Sequence, residues 1–186
     1  MTELVVAAAE EIGARDGLPG ITMRRLGAAI GYAPNSIYHA VGDMDEVILR
    51  LNERTLRRLH GSLKRRIKPK LPPVDGALAL ADGYVAFVRR NPRLWSILVE
   101  YIRRQPGPLP DWYRTALSRP LGLVEEVLAP LFPDPDDRNR SVATLWAALN
   151  GIASLAVSGK LGVVTAEEAP DLARLLVRRY LAGRKA

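Results

Sequence analysis

The stretch from Thr22 to Val47 constrains the fold more than any other part of the chain, because glycines divide it into short helical segments. Its sequence, TMRRLGAAIGYAPNSIYHAVGDMDEV, opens with a residue suited to cap a helix. Met23, Leu26 and Ile30 then share one helical face. Gly31 follows where that helix must stop, since glycine enters the left-handed conformation without steric cost. The pattern predicts a short helix that ends in a tight turn.

A second short helix is predicted from Pro34 to Val41. Proline has no N–H to offer and fits a first helical turn, and the apolar residues of this segment recur at a spacing of four. Gly42 ends the helix. Asp43 and Glu46, three residues apart, match the capping box of a third helix.

Two short helices that cross at a tight turn form a helix-turn-helix, whose second helix can enter the major groove of DNA. Gly27, four residues before the turn glycine, would let the helices approach closely. From residue 17 to residue 42 the chain has no acidic residue, and its basic ones are Arg24, Arg25 and His39. A helical hairpin with no DNA-binding function could show the same periodicity, so spacing alone leaves that alternative open.

The composition narrows the class of protein. The chain has 186 residues, 48% of them hydrophobic, and no cysteine, which rules out disulfides, thiolate metal sites and cysteine nucleophiles. We expect a cytoplasmic protein, because the absence of cysteine fits a reducing compartment. We expect no signal peptide, because the start Met-Thr-Glu is not a basic segment followed by an apolar one. We expect no membrane span, since no apolar run approaches the roughly 20 residues required. The net charge of +7 favours an anionic partner.

The segment LVVAAAEEIGARDGLPGIT, followed by MRRLGAAIGYAPNSIYHAVGDMDEVI, resembles the tetracycline-repressor (TetR) family of one-component transcriptional regulators. The elements that carry the resemblance are the Gly17 break before Ile21-Thr22, the Gly31 turn and the Ile37-Tyr38 pair. This match covers roughly the first third of the chain. The remainder resembles the family in length, helical content and a few local features.

The periodicities predict an all-α protein, and the resemblance implies its organisation. A three-helix DNA-binding domain is expected over residues 1–46, and a long helix from Asp43 to about residue 68 leads into a helical ligand-binding and dimerisation domain over 47–186. The later helices are expected at about 74–90, 92–104, 110–130 with an interruption near Pro120, 135–158, and after Thr165, where Glu168 would complete a capping box.

We predict DNA contacts from the helix-turn-helix. Thr22 and Tyr38 would contact phosphates, and Arg24 and Arg25 would add positive charge. An asparagine can pair bidentately with adenine. The residues expected to face base edges are Tyr32, Asn35, Ser36 and His39, and Pro34 completes the predicted set.

Two departures from the family pattern support an alternative function. Family members often show His-Phe where this chain has Ala40-Val41, and a lysine where it has Met44. The missing lysine removes one expected phosphate contact. The alternative is a helical small-molecule binding module whose DNA-binding heads are degenerate.

The middle helices concentrate bulky aromatic side chains, which are candidates to line an apolar pocket with a few polar tips. Each of them could instead belong to a core, and Asn150 could donate to a ligand or hydrogen-bond a backbone carbonyl. We expect a small apolar or aromatic effector, and neither a cofactor nor a metal. The predicted ligand-binding residues are Phe87, Trp95, Leu98, Tyr101, Ile102, Trp112, Tyr113, Trp146 and Asn150.

The last two long helices are candidates for a dimer interface. Residues 141–158 form an unusually small-sided helix, and small side chains allow helices to approach closely. An intramolecular core is the alternative, whereas the resemblance implies a twofold four-helix interface between two copies. Such a homodimer would read a palindromic operator with helices about 34–36 Å apart. The predicted interface residues are Leu145, Leu149, Ile152, Ala153, Ala156, Leu172, Leu175 and Leu176.

An enzyme is the third interpretation, and we expect the protein not to be one. His39 and His60 lie in unlike contexts, no carboxylate–histidine metal spacing occurs, and there is no glycine-rich phosphate loop. His60 is expected to be a solvated surface residue. The predicted function is a ligand-responsive transcriptional regulator, most simply a repressor of double-stranded DNA sites.

Overall fold

The computed structural model describes residues 1–101 and 107–183, and within them the regular structure is entirely helical. The all-α prediction is confirmed. A short 3-10 turn covers Leu18–Gly20. The α-helices are α1 (Thr2–Asp16), α2 (Met23–Ile30), α3 (Pro34–Val41), α4 (Met44–Lys64), α5 (Pro73–Arg90), α6 (Pro92–Glu100), α7 (Asp111–Leu128), α8 (Pro135–Val157), α9 (Leu161–Val164) and α10 (Ala169–Leu181).

The helices pack as two compact units. Unit 1 comprises Met1–Arg57 and Asn91–Leu117, and unit 2 comprises Arg58–Arg90 and Ser118–Ala186. The divisions therefore fall inside α4 and inside α7, as well as between α5 and α6. The predicted division at residue 46 concerns function and stays a prediction. By packing, the helix-turn-helix shares unit 1 with the first part of α4 and with α6.

Unit 1 is built around one apolar core that α1, α2, α3, α4 and α6 all enter. Leu26 and Ile37, from the helix-turn-helix, are completely buried, as is Val47 of α4. Leu94 and Ile97 of α6 close the same core. The core of the three N-terminal helices is therefore completed by α6, a helix from later in the chain, and local periodicity does not indicate this contact.

The apolar core of unit 2 is built mainly from α5, α8 and α10 with the C-terminal part of α7. Its core includes Ala81, Leu128, Phe132 and Ala173, each at most 1% exposed. Small residues at Ala81 and Ala173 allow α5 and α10 to lie close together.

Three local predictions for the later helices are wrong. α6 ends at Glu100, because Tyr101 has extended backbone angles. α7 continues through Pro120, although the proline removes an N–H that would otherwise pair with the carbonyl of the preceding turn. α10 begins only after Glu168, because the Thr165 hydroxyl accepts from the backbone N–H of Glu167 at 3.1 Å and forms no capping box with Glu168.

Candidate DNA interface and apolar cavity

The turn between α2 and α3 has the predicted geometry. The Thr22 side chain caps α2 by accepting from the Arg25 backbone N–H at 3.2 Å. Gly31 adopts the left-handed conformation, with φ 76° and ψ 27°. Gly27 allows the close approach, because a Cβ at this position would lie 2.5 Å from the Tyr32 carbonyl oxygen. The helix-turn-helix therefore depends on glycine at two positions for two different reasons.

α3 is held to unit 1 by only two of its side chains. Ile37 and Val41 are buried, whereas its other residues are exposed. The exposed set includes Asn35, Ser36 and His39, and Tyr38 is 50% exposed. Tyr32 in the preceding turn is 45% exposed. The residues predicted to face base edges thus lie on surface that is open in the single chain.

The start of α4 lies directly after α3 and is capped as predicted. The Asp43 carboxylate accepts from the Glu46 backbone N–H at 2.9 Å. Met44, at the position where the family often has lysine, is half-buried and packs against the unit 1 core. Tyr101, a predicted ligand-binding residue, donates its hydroxyl to the buried carboxylate of Asp45. Tyr101 therefore fixes the end of α6 to the beginning of α4.

The two arginines at the start of α2 lie in different surroundings. Arg24 is exposed. Arg25 donates through Nη2 to the carboxylate of Asp16, the last residue of α1. Arg15 donates through Nε to the same carboxylate at 3.1 Å. Hydrogen bonds from Arg15 and from Arg25 hold the pKa of Asp16 below its usual range. Sequence reasoning missed this pairing.

Arg54 ties α4 to α1 within unit 1. Its guanidinium lies 2.6 Å from a Glu3 carboxylate oxygen and 2.7 Å from a Glu10 carboxylate oxygen. Glu10 is 9% exposed, so its charge is sheltered from water. Removing either partner of a sheltered ion pair is destabilising, because the other charge is left without compensation. The first half of α4 is thereby fastened to the helix-turn-helix unit by charge as well as by apolar packing.

Unit 2 contains an apolar cavity of about 50 Å³. Its lining is almost entirely aliphatic, and the Trp146 side chain reaches it from a position that is 42% exposed. Binding sites for drug-sized molecules are larger, at roughly 300–1,000 Å³. A volume of this size has room for only a small apolar group. Its lining residues are Leu59, Leu63, Ala77, Leu80, Ala81, Tyr84, Pro120, Leu121, Val124, Val142, Leu145, Trp146, Leu149 and Val177.

Tyr84, one of the residues that line this cavity, also joins α5 to α8. The Tyr84 hydroxyl donates to Asn150 Oδ1 at 3.0 Å. Asn150 Oδ1 therefore accepts from a side chain of α5, and the predicted roles of its amide as a donor stay predictions.

The other predicted ligand-binding residues do not gather at this cavity. Leu98, Trp112 and Tyr113 belong to unit 1, with Tyr101. The Trp112 ring lies 5.3 Å from the Arg50 guanidinium carbon and edge-on to the Tyr113 ring, whose burial raises the pKa of its hydroxyl. Phe87 and Trp95 are buried, and Ile102 lies outside the described residues. The cavity walls are aliphatic residues that sequence patterns cannot distinguish from a filled core.

The predicted dimer-interface residues fall into three groups. Leu145 and Ala153 are buried in the unit 2 core. Leu175 is 51% exposed. The remainder are half-buried, namely Leu149, Ile152, Ala156, Leu172 and Leu176. Leu145 and Ala153 therefore bury their side chains within one chain and have little area left for a second copy.

A different face of α8 is open. Ala143, Ala147, Gly151 and Ser154 are exposed, and a Cβ on Gly151 would meet no atom within 4 Å. Among the described residues, α8 is the helix whose length and composition would suit a membrane span, although only 22% of its most apolar window is buried. Core helices of soluble proteins share this composition. α8 is thus an apolar helix with a small-sided surface that the single chain leaves uncovered.

His60 is half-buried rather than solvated, which corrects its predicted placement. Its Nδ1 lies 3.2 Å from the Arg119 carbonyl oxygen. Within residues 1–101 and 107–183, no group of three histidine, aspartate or glutamate side chains is arranged to hold a metal ion.

The fold, with α2 and α3 crossing at a tight turn and α3 largely exposed, defines an all-α protein with a helix-turn-helix. Residues 77–180, more than half of the chain, match the family model described as "Tetracyclin repressor-like, C-terminal domain". The chain therefore belongs to the tetracycline repressor-like (TetR) family of transcriptional regulators. The resemblance stated from the N-terminal motif is confirmed by this match in the C-terminal half.

Solved structures share the whole fold. A protein of unknown function from Rhodococcus sp. RHA1 is 20% identical, with a TM-score of 0.81, over 100% of this chain and 95% of that one. A TetR transcriptional regulator from Streptomyces coelicolor is 16% identical, with a TM-score of 0.75, over 97% and 95%. The fatty acid degradation regulator FadR from Bacillus halodurans is 15% identical, with a TM-score of 0.72, over 100% of both chains. No curated protein matches the chain.

Proposed function

We propose that this protein is a cytoplasmic, homodimeric repressor that binds a palindromic DNA operator and is released by a small apolar effector. The observation that carries the proposal is the outer face of α3, which is polar and exposed except for Ile37 and Val41. A helix held by two side chains and otherwise open has the form required to enter a major groove.

Roles within the helix-turn-helix follow from exposure and chemistry. Asn35 and His39 supply groups that can hydrogen-bond to base edges, and Tyr38 and Thr22 supply hydroxyls for phosphates. No acidic side chain occurs between residues 17 and 42, so nothing within the motif repels the duplex. Arg24 adds an exposed charge.

The proposed dimer would cover the open face of α8. Ala143, Ala147 and Gly151 recur at a spacing of four, which places them in one row that a partner helix could approach closely. Leu175 of α10 would add exposed apolar area. Twofold pairing of these helices gives each copy the same contacts and would fix the separation between the α3 helices of the two copies.

The proposed effector would act through α4. Leu59 and Leu63, near the C-terminal end of α4, line the apolar cavity. Arg54 fastens the earlier part of the same helix to α1. An effector that enlarges the cavity would shift α4 and thereby change the separation between the α3 helices of the two copies. It can do so only if it binds the two arrangements with different affinities.

Selection of bound fragments from random double-stranded DNA tests the proposal. A palindromic consensus is expected, and no enrichment over several rounds would contradict it. With the selected site in hand, Arg25→Ala should weaken binding to every sequence and reduce the salt slope, whereas Asn35→Ala should relax sequence preference. An Asn35→Ala variant that loses equal affinity for selected and random DNA would exclude base reading by Asn35.

A specific observation favours the alternative, a small-molecule binding module whose helix-turn-helix no longer binds DNA. Met44 packs against the core where a phosphate-binding lysine is common in the family, and Arg25 is already paired with Asp16. A gel shift against genomic fragments at increasing salt separates the two functions. A saturable preference for some fragments favours the repressor, and uniform weak binding favours the alternative.

A further inference from the structure

Asp16 is an acidic residue that contacts the helix-turn-helix. It ends α1, and the next acidic residue along the chain is Asp43, beyond the motif. Its carboxylate accepts from Arg25 Nη2, and Arg25 occupies the first turn of α2. The Arg25 and Asp16 side chains are 38% and 30% exposed. The pair is therefore half-sheltered but within reach of a large ligand.

The backbone is shaped to hold this pair. Gly20 is buried beneath it, and a Cβ there would lie 2.5 Å from the Asp16 Cβ and 3.0 Å from Arg25 Nη1. Arg15 donates to both oxygens of the same carboxylate, at 3.1 Å and 3.2 Å. Asp16 thus has fixed partners on two sides, and any side chain at position 20 would displace the guanidinium of Arg25.

We propose that Asp16 limits the affinity of the protein for DNA of any sequence by competing with backbone phosphates for Arg25. A cation that binds a phosphate strengthens association through the release of condensed counterions. When Arg25 is shared with a carboxylate, part of that gain is lost. The inference rests on the proposed DNA-binding function, and it assigns to α1 a residue that adjusts affinity without reading a base.

The test replaces Asp16 by asparagine, which keeps the shape of the side chain and removes its charge. The probe is a random-sequence DNA duplex, and its dissociation constant is measured over a salt series. Asp16→Asn should bind roughly threefold to tenfold more tightly at about 0.1 M salt, with a salt slope steeper by up to about 0.9, the value of one phosphate contact.

Two further variants make the result specific. Glu11→Gln removes the same charge from an exposed position on the same helix, and we expect it to tighten binding by less than half as much. In an Arg25→Ala background, Asp16→Asn should have no effect beyond that of Glu11→Gln, because the competed group is gone.

Two results would contradict the proposed competition. If Asp16→Asn binds DNA as tightly as Glu11→Gln, the effect comes from net charge alone. If Asp16→Asn binds DNA more weakly than the original chain, Asp16 positions Arg25 for a phosphate. Both results leave the proposed repressor intact. If neither the unmodified chain nor any variant binds a duplex at low salt, the proposed function itself fails, and this inference fails with it.

Discussion

α3 and α8 both expose much of their surface, but they expose opposite chemistry. The outer face of α3 carries an amide, hydroxyls and an imidazole, whereas the outer face of α8 carries alanines, a glycine and a serine. Exposed polar groups suit a hydrated, charged partner such as the proposed DNA operator. Small apolar side chains suit a second helix at close range. Exposure alone therefore does not identify the partner of either helix. The chemistry of the exposed side chains is what favours DNA for α3 and a second helix for α8.

The largest expected effect is on α8. Gly151→Leu places a bulky side chain at the centre of the proposed pairing face, and twofold symmetry brings in two of them. Overpacking of this kind should weaken the dimer by roughly 2–6 kcal/mol, or about 1–3 kcal/mol for each copy. Sedimentation equilibrium measures the dimer constant.

If Gly151→Leu dimerises like the original chain, the exposed face of α8 is ordinary surface, and the proposed contrast with α3 is wrong. Gly122→Leu is the matched control, since a Cβ at Gly122 of α7 also meets no atom within 4 Å. It should leave dimerisation unchanged.

The next effect is on the presentation of α3. A Cβ at Gly27 would lie 2.5 Å from the Tyr32 carbonyl oxygen, a backbone atom that cannot move without opening the turn. Gly27→Ala should therefore lower the free energy of unfolding by roughly 1–3 kcal/mol, despite a helix-propensity gain of about 1 kcal/mol. Chemical denaturation gives the change.

Gly122→Ala serves as the control for Gly27→Ala, because it has the same propensity gain and open space around it. It should stabilise the protein by up to about 1 kcal/mol. Equal stability changes in the two variants would show that the turn tolerates a wider separation of α2 and α3.

A smaller effect is expected on the inner face of α8. Tyr84→Phe removes the donor to Asn150 Oδ1, a half-buried bond of 3.0 Å, and should cost about 1 kcal/mol of stability. Thermal unfolding measures the change in stability. Unchanged stability would mean that water replaces the tyrosine hydroxyl at no cost.

The smallest effect concerns the charged side of α10. Arg174 donates to both oxygens of Asp82 on α5, at 2.9 Å and 3.2 Å, and its side chain is 47% exposed. Arg174→Ala should lower the free energy of unfolding only slightly, and less at high salt, because water and salt screen an exposed ion pair. Arg178→Ala, an exposed cation on the same helix, is the control. A larger loss for Arg178→Ala would place the stabilising charge elsewhere.

The helix-turn-helix could be predicted from sequence because its signals are local. The Thr22 cap bonds a residue three positions away, and Gly31 acts on its own backbone. The Arg25–Asp16 pair spans a loop, so no spacing rule indicates it. On α8, Leu145 and Ala147 are two positions apart, yet one is buried and the other exposed. A helix that is apolar on most sides does not reveal by periodicity which side meets its own chain.

The proline inside α7 affects how that helix can bend. Pro120 lies three residues after the division between Leu117 and Ser118, and it deletes a backbone hydrogen bond of the turn that spans this division. The corresponding division in α4, at Arg57, has no proline nearby. Bending should therefore cost less energy in α7 than in α4. Because the Pro120 ring also forms part of the cavity wall, a molecule lodged there would press on the most compliant turn of that helix.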